Sequence, residues 1–254
     1  VEYKFCLPKT AWPPTLISKS YPQIAFCLAI TPAQENYYSS LKKMDITTVS
    51  ICLYISQMGR QKHATSHVNA ARSLGMTTHA YMITDLNDPI NDCLQFSTRF
   101  LELGYSKNSK ITVFVNGSQY IKDSQKKITD ILNFISKFHK RENIDLAFFN
   151  DDLNNKIYNL DLLPEVNLTL ANVNANTPGS NKVGTWIYTM DCGENSQFLA
   201  YDFYGYYTDE SYQFIISIFY TCNCTFYTIN SSRHYTTSIS STLSTRINTS
   251  YVRI

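Results

Sequence analysis

The chain has 254 residues, a length that suits two average domains or one α/β barrel, and 44% of its residues are hydrophobic, which is ample for a large core. Its 22 basic and 20 acidic side chains give a formal net charge of +2 without any long run of like charges, so the charge pattern favours neither nucleic acid nor an anionic membrane as a partner. The longest apolar runs, residues 24–30 and 214–220, are much shorter than the ~20 residues that cross a bilayer, and we expect no membrane span.

Residues 1–21 contain Pro8, Pro13 and Pro14 and are predicted to form an extended lead-in. After it, short apolar runs alternate with segments of helical periodicity. Each apolar run has the length and composition of a strand that is buried on both faces. The eight predicted strands are Ile24–Ile30, Thr47–Leu53, Thr77–Ile83, Ile111–Val115, Asp145–Phe149, Asn167–Ala171, Gly184–Met190 and Phe198–Phe203.

Three predicted helices between the early strands have recognisable ends. One covers Ala64–Leu74, and another starts near Ser124. The clearest begins at Asp88, an N-cap followed by a proline in the first helical position, and stops at Gly104. Alternation of strands and helices predicts a parallel sheet covered on both faces. The predicted buried face of the helix that follows Asp88 consists of Ile90, Cys93, Leu94, Ser97, Phe100 and Leu101.

The alternation stops after about residue 165. Residues 172–182 form a loop rich in Asn without apolar periodicity, and the strands around it leave no room for helices, so the last three strands are predicted to connect as hairpins. The predicted fold is therefore α/β, a TIM-like (β/α)5(β)3 barrel over residues 22–208. Residues 209–254 alternate aromatic and β-branched side chains on either side of a predicted turn at Cys222–Asn223, which indicates a short C-terminal β extension.

The seven cysteines form no CxxC pair, which argues against a zinc site. We expect buried free thiols, with disulfides as the alternative for an exported protein because Cys27 and Cys52 fall on neighbouring predicted strands. His63 and His67 stand four residues apart on a predicted helix. No third ligand accompanies them, so a surface pair is favoured over a metal site, and no cofactor is expected.

Several motifs, in order along the chain, resemble those of the family-25 glycoside hydrolases, the Chalaropsis-type lysozymes of phage endolysins and bacterial autolysins. Met76–Tyr81 resembles their strand "G-x-x-x-G-A-Y-H-F", Leu168–Val173 resembles "L-W-I-A-x-Y", and Gly184–Thr189 resembles "G-A-W-Q-Y-T". Tyr201–Phe203 followed by Gly205–Thr208 resembles the closing "V-D-x-N/Y" strand and its "G-Y-Y" extension. The resemblance covers residues 22–208 and implies that family's barrel of five helices and eight strands.

The resemblance also implies an ancestral substrate, the peptidoglycan bond between N-acetylmuramic acid and N-acetylglucosamine, and an Asp-x-Glu pair at the end of the fourth strand. The matching residues here are Phe114 and Asn116, and neither can protonate a leaving group as a carboxylic acid does. No acid lies between Glu2 and Glu35, where the first-strand Asp of the family would fall, and Asp202 is the one family carboxylate retained. The histidine and two sugar-stacking aromatic residues of the family correspond to Met82, Thr169 and Val173.

We therefore predict a catalytically inactive, lysozyme-like protein, secreted or at the cell surface, that acts by binding or assembly. Its partner would be peptidoglycan, another surface glycan or a protein. The C-terminal extension is a candidate for a curtailed wall-binding module. The residues expected to bind a ligand at the barrel mouth are Tyr81, Asn116, Trp186, Tyr188 and Asp202.

Alternatives remain for these residues and for the whole chain. Trp186 and Tyr188 alternate with apolar neighbours, which favours core packing over a sugar platform, and Asp202 is equally a candidate turn partner. One alternative function is an active muramidase or glycosidase with relocated acids. Another is a structural or antigenic surface protein. The candidate relocated acids are Asp85, Asp202 and either Asp151 or Asp152.

Overall fold

The computed structural model describes residues 21–116, 123–180, 182–192 and 197–209, together with the backbone of residues 213–218 and 225–230. The chain divides into two compact units, Val1–Asp209 and Glu210–Ile254. Most of the predicted lead-in and the predicted turn at Cys222–Asn223 lie outside the described residues.

The first unit contains nine strands in the described part of the chain. They are β1 (Gln23–Cys27), β2 (Thr48–Ile55), β3 (Gly59–Arg60), β4 (Thr77–Thr84), β5 (Ile111–Val115), β6 (Ile144–Phe149), β7 (Asn167–Ala171), β8 (Thr185–Cys192) and β9 (Gln197–Asp202). All except the short β3 close into a barrel, because β1 pairs with both β2 and β9. The strands of the barrel run parallel except β9, which is antiparallel to both of its neighbours.

The strands form from apolar residues that alternate between the two faces of the barrel wall. In β5, Ile111, Val113 and Val115 belong to the apolar cluster between the wall and the helices, whereas Phe114 belongs to a second cluster inside the barrel. Because both faces are buried, each strand appears in the sequence as a nearly continuous apolar run.

Five helices in the described residues cover the wall, one after each of the first five barrel strands. They are α1 (Tyr37–Lys43), α2 (Ala64–Ser73), α3 (Pro89–Glu102), α4 (Ser124–Ile135) and α5 (Asn150–Asn154). The start of α3 is fixed by Asp88, whose side chain accepts a 3.3 Å hydrogen bond from the backbone N–H of Asn91. Just beyond its end, Gly104 has a φ of +63°, which a residue without a Cβ adopts readily.

The predicted TIM-like (β/α)5(β)3 barrel is confirmed. The prediction that its last three strands connect as hairpins is wrong for the first connection, because β7 and β8 pair in parallel. A parallel connection needs a dozen or more residues but no helix, and residues 172–184 supply them. The final pair, β8 and β9, is antiparallel as predicted.

The predicted buried face of α3 is partly wrong. Ile90, Leu94 and Leu101 are 50%, 53% and 64% exposed. The face of α3 that packs against the barrel wall is narrower than the stripe of apolar residues in its sequence. The side chains that α3 buries are Asp92, Cys93, Phe96, Ser97 and Phe100.

In the second unit, β10 (Gln213–Ile218) pairs with β11 (Thr225–Asn230) as an antiparallel hairpin, with Phe214 opposite Ile229. The predicted C-terminal β extension is thereby confirmed. Among the described residues, no helix is both long and apolar enough to cross a membrane.

Candidate functional site

The two ends of the barrel differ in chemistry. All the parallel strands direct their C-terminal ends to one end of the barrel, here called the mouth, and their N-terminal ends to the other, here called the floor. The antiparallel β9 runs from the mouth to the floor. In α/β-barrel enzymes the active site lies at the mouth, in the segments that follow the strands.

Phe114 and Asn116, the predicted degenerate catalytic positions, both lie at the mouth end of β5. Phe114 faces the barrel axis, is 2% exposed and packs edge-on against Phe149, with 5.0 Å between ring centroids. Asn116 directly follows the strand and is exposed, and its backbone N–H donates a 2.9 Å hydrogen bond to the carbonyl of Thr84. The strand therefore presents a buried aromatic ring and an exposed amide at the two positions that the motif resemblance assigns to carboxyl groups.

The inward-facing side chains at the mouth ends of five other strands are apolar and half-buried. They pack against the apolar cluster that fills the barrel interior. Their hydrocarbon and thioether groups offer a sugar no strong hydrogen-bonding group. We call these five residues the apolar ring: Leu28, Ile55, Ile83, Phe149 and Met190.

Tyr81, one of the predicted ligand-binding residues, lies beneath this ring. Its side chain is fully buried inside the barrel, and its ring packs edge-on against Phe26 with 5.6 Å between centroids. Burial, reinforced by the neighbouring Cys52, raises the pKa of the Tyr81 phenol well above its ordinary value. Tyr81 is thus a neutral part of the barrel core.

Trp186 and Tyr188 lie on the outer face of the barrel wall, in the cluster outside the barrel interior. The indole Nε1 of Trp186 donates a 3.0 Å hydrogen bond to the carbonyl of Asn172. The Tyr188 hydroxyl donates to Oε1 of Gln23 at 2.6 Å, and its ring centroid lies 4.7 Å from that of Tyr201. Both residues are packed in the outer part of the core, and neither lies at the mouth.

Asp202 lies at the opposite end of the barrel from the mouth. As the last residue of the antiparallel β9 it stands at the floor, opposite Thr185 at the start of β8. Its fully buried carboxylate accepts hydrogen bonds from the backbone N–H groups of Tyr206, Tyr207 and Thr208 at 2.9, 2.9 and 3.0 Å. Burial raises the pKa of this carboxyl, while the hydrogen bonds act against the shift. Asp202 therefore fixes the turn that follows β9.

A second buried carboxylate at the floor, Asp145, was not predicted as a site residue. It is fully buried and accepts hydrogen bonds from Asn167 (2.7 Å), Thr169 (2.9 Å) and the Tyr207 hydroxyl (2.6 Å). That hydroxyl also lies 2.7 Å from the hydroxyl of Thr112. Burial raises the pKa of Asp145 to about 7 despite these donors. The sequence signal that could have identified it is an acid inside an apolar strand.

His79 completes this polar floor. Its Nδ1 accepts the backbone N–H of Lys110 at 2.9 Å, so the proton of the neutral ring is on Nε2, which donates to the carbonyl of Tyr207 at 2.9 Å. Burial lowers the pKa of His79 to about 4. Asp145, Asp202 and His79 are thus held at the floor by hydrogen bonds within the fold, which is a structural role.

The prediction of a surface histidine pair is wrong for His67, which is 1% exposed. Its Nε2 donates to the carbonyl of Thr31 at 2.8 Å, and its Nδ1 accepts from the Tyr38 hydroxyl at 2.7 Å. Among the described residues, no group of three or more His, Cys, Asp or Glu side chains is arranged to hold a metal ion. The predicted buried free thiols are confirmed for Cys27, Cys52 and Cys93.

The candidate relocated acids are divided between the two ends. Asp85 directly follows β4 at the mouth, where its carboxylate accepts from the backbone N–H of Asn87 at 3.0 Å. Asp151 and Asp152 stand in the first turn of α5, just after β6, and are also at the mouth. Burial, with a contribution from Asp151, raises the pKa of Asp152. Asp202 at the floor cannot act together with them.

No family model matches the sequence, and no curated protein matches it significantly. Solved structures do match the barrel. The catalytic domain of the endolysin Ply40 from bacteriophage P40 of Listeria monocytogenes has 12% sequence identity and a TM-score of 0.59, over 72% of this chain and 94% of that chain. A family-25 glycosyl hydrolase from Bacillus anthracis has 14% identity and a TM-score of 0.58, over 72% and 89%. A muramidase from Acremonium alcalophilum has 12% identity and a TM-score of 0.56, over 71% and 93%.

These likenesses define the class of fold, an α/β barrel like those of lysozymes and endolysins. More narrowly, the barrel has the fold of the family-25 glycoside hydrolases, as the motifs indicated. At identities of 12–14% the likeness is one of fold, and any chemistry depends on the residues at the mouth.

Proposed function

We propose that this chain is a lysozyme-like barrel without hydrolase activity that acts by binding peptidoglycan or another surface glycan, and that it is exported or displayed at the cell surface. The fold supports the ligand class, because barrels that share it include a phage endolysin domain and a muramidase. The end of β5 supports the loss of hydrolase activity, since Phe114 and Asn116 stand at the two positions that the motif resemblance assigns to the acid pair.

The observation that carries the proposal is the buried position of Phe114. A retaining glycosidase needs two carboxyl groups about 5 Å apart, one of them as the acid that protonates the leaving oxygen. Phe114 stands where the family resemblance places the first acid of Asp-x-Glu, and its ring is part of the interior packing. The second position, Asn116, carries an amide that has no acidic proton to donate at neutral pH.

Glycan binding would depend mainly on Asn116. Its exposure directly after β5 supports this role, because the other four predicted ligand-binding residues are buried or lie away from the mouth. A neutral amide holds a sugar by hydrogen bonds, so we expect weak binding that changes little with salt. The other four have structural roles in the core or at the floor.

Incubation with purified peptidoglycan tests this function. The wild type should release no reducing ends under conditions in which an active family-25 muramidase digests the same material. Sedimentation with insoluble peptidoglycan should retain the wild type and lose Asn116→Ala, while Leu94→Ser, a change at an exposed site on α3, should leave retention unaltered. Hydrolysis by the wild type would contradict the proposal, and a complete lack of retention would favour a structural or antigenic surface protein.

A second candidate function, an active glycosidase, is favoured by the acids at the mouth. Asp85 follows β4, and Asp151 and Asp152 follow β6, two strands away, so their backbones stand about 10 Å apart. Side chains that point towards each other across this gap leave room for a water molecule between their carboxyl groups, as in inverting enzymes, whose carboxyl groups are about 6.5–9.5 Å apart. Loss of any measured hydrolysis in both Asp85→Asn and Asp152→Asn, but not in the exposed Asp161→Asn, would establish this function.

A further inference from the structure

The apolar ring is a feature that glycan binding leaves unexplained. Ile55, Ile83, Phe149 and Met190 lie in four different strands, and Leu28 directly follows β1. All five face the axis at the mouth. Each is half-buried, so part of its apolar surface remains accessible to a partner. Burying such surface is favourable at roughly 25 cal/mol per Å².

The interior beneath the ring is filled. Phe26 and Tyr81 are fully buried there, and Phe114 is 2% exposed. An acyl chain needs a deep tunnel or groove, and these rings occupy the axis directly below the mouth. The shape therefore suits a shallow contact with a protruding side chain.

Beside the ring, the segments that follow β4 and β6 carry more acids than bases. Asp85 and Asp88 follow β4, and Asp151 and Asp152 follow β6. The basic residues nearby are Lys156, which follows α5, and Lys126 and Lys127 in the first turn of α4; Lys126 is paired with Asp130 on its own helix. The ammonium of Lys127 donates to the carbonyl of Leu86 at 2.8 Å. A partner that carries positive charge beside its apolar group would be complementary to this mouth.

We propose that the barrel mouth docks a segment of a protein partner in which an apolar side chain, seated on the apolar ring, is flanked by lysine or arginine. The inference rests on the proposed loss of hydrolysis at this mouth and does not require glycan binding. The ring supplies the buried contact, and the acids that follow β4 and β6 supply selectivity for charge and attraction at long range.

Titration with short peptides tests the proposal on the full chain. The probe alternates lysine and leucine around a central tryptophan; one control has glutamate for lysine, and a second has serine for leucine and tryptophan. The first should bind, and both controls should bind at least about tenfold more weakly, a difference of about 1.4 kcal/mol. Phe149→Ser should weaken binding of the first peptide to a similar degree, while Leu94→Ser on α3 should not.

A charge variant tests the site without disturbing the core. Asp85→Asn combined with Asp151→Asn should weaken binding and make it less sensitive to added salt. Equal binding of the glutamate peptide, or an unchanged affinity in both Phe149→Ser and the charge variant, would overturn the proposal. Chitooligosaccharide binding that is lost in Phe149→Ser, with no peptide binding, would assign the ring to a glycan instead. Release of reducing ends from peptidoglycan would overturn the non-catalytic function separately.

Discussion

The hydroxyl of Tyr207 donates a 2.6 Å hydrogen bond to the carboxylate of Asp145, although the two residues are 62 positions apart in the sequence. Tyr207 belongs to the segment that follows the last barrel strand, and Asp145 belongs to β6. The contact fixes that segment inside the floor of the barrel, where the Tyr207 ring also packs against Phe26 with 5.8 Å between centroids. The family-like "G-Y-Y" sequence is therefore part of the fold.

Tyr207→Phe is expected to lower the free energy of unfolding by about 1–3 kcal/mol, because it leaves a fully buried carboxylate short of one donor. Urea unfolding followed by fluorescence would measure the change. Tyr204→Phe, at a side chain that is 48% exposed, is the matched control and should alter stability by less than about 0.5 kcal/mol. Equal stability of Tyr207→Phe and the wild type would show that the hydroxyl does not anchor the segment.

The pH dependence of stability should include contributions from two floor residues, Asp145 and His79, that act in opposite directions. Burial raises the pKa of Asp145 from 3.8 to about 7, so its contribution to stability is full below about pH 4 and is lost as the pH rises towards 7. Burial lowers the pKa of His79 from 6.5 to about 4, so its contribution is full above about pH 6.5 and is lost as the pH falls towards 4. In the wild type the two slopes should largely offset each other.

Asp145→Asn removes one of these slopes. Between about pH 4.5 and 6.5 the stability of this variant should rise with pH more steeply than that of the wild type, by at most about 1.4 kcal/mol per pH unit. Urea unfolding of both proteins across this range would measure the difference. Parallel curves for the two proteins would mean that Asp145 does not titrate in this window.

Replacing Phe114 and Asn116 by the acids of the family motif should not restore hydrolysis. The change at Phe114 should also destabilise the fold. Phe114→Asp removes a ring that is 2% exposed and places a carboxylate against Phe149, so the free energy of unfolding should fall by about 3–5 kcal/mol. Asn116→Glu, at an exposed site, should fold normally and is the control. Thermal unfolding measures the stability of both variants. Peptidoglycan hydrolysis by a stably folded double variant would contradict the proposal that the rest of the catalytic site has also been lost.

The sequence predicted the barrel well because its strands are mostly buried apolar runs and most helices have distinct ends, as at Asp88 and Gly104. The two-residue β3, Gly59–Arg60, has no such pattern and was not predicted. It could not assign the faces of β8. Trp186 and Tyr188 alternate with Ile187, and period-two patterns look alike whether the large side chains face inward or outward.

The direction of β9 had a larger effect on the predicted site. Asp202 ends a strand, as catalytic acids of barrels do, but β9 is antiparallel to its neighbours and ends at the floor. A sequence pattern identifies strand ends without stating which end of the barrel they reach. The polar floor around Asp145 and His79 was missed for a related reason, since its hydrogen bonds join residues from distant strands.

Trp186→Ala is expected to destabilise the barrel by about 3–5 kcal/mol, because the indole is fully buried in the outer cluster and its Nε1 is bonded to the carbonyl of Asn172. Trp186→Phe keeps most of the packing and should cost less. Chemical unfolding measures both changes, and sedimentation of each folded variant with peptidoglycan measures binding. A variant that is as stable as the wild type but no longer sediments with peptidoglycan would show that Trp186 contacts the ligand.

The buried thiols provide a test of the whole core. Burial raises the pKa of Cys27 to about 11 and that of Cys93 to about 12, and it raises the pKa of Cys52 as well, so all three should be present as unreactive thiols at pH 8. In a variant whose other four cysteines are serine, Ellman's reagent should label none of them in the native state. Labelling should appear in urea together with the loss of structure, because reaction requires opening of the core. Rapid labelling of any of the three without denaturant would contradict the packing described for its strand or helix.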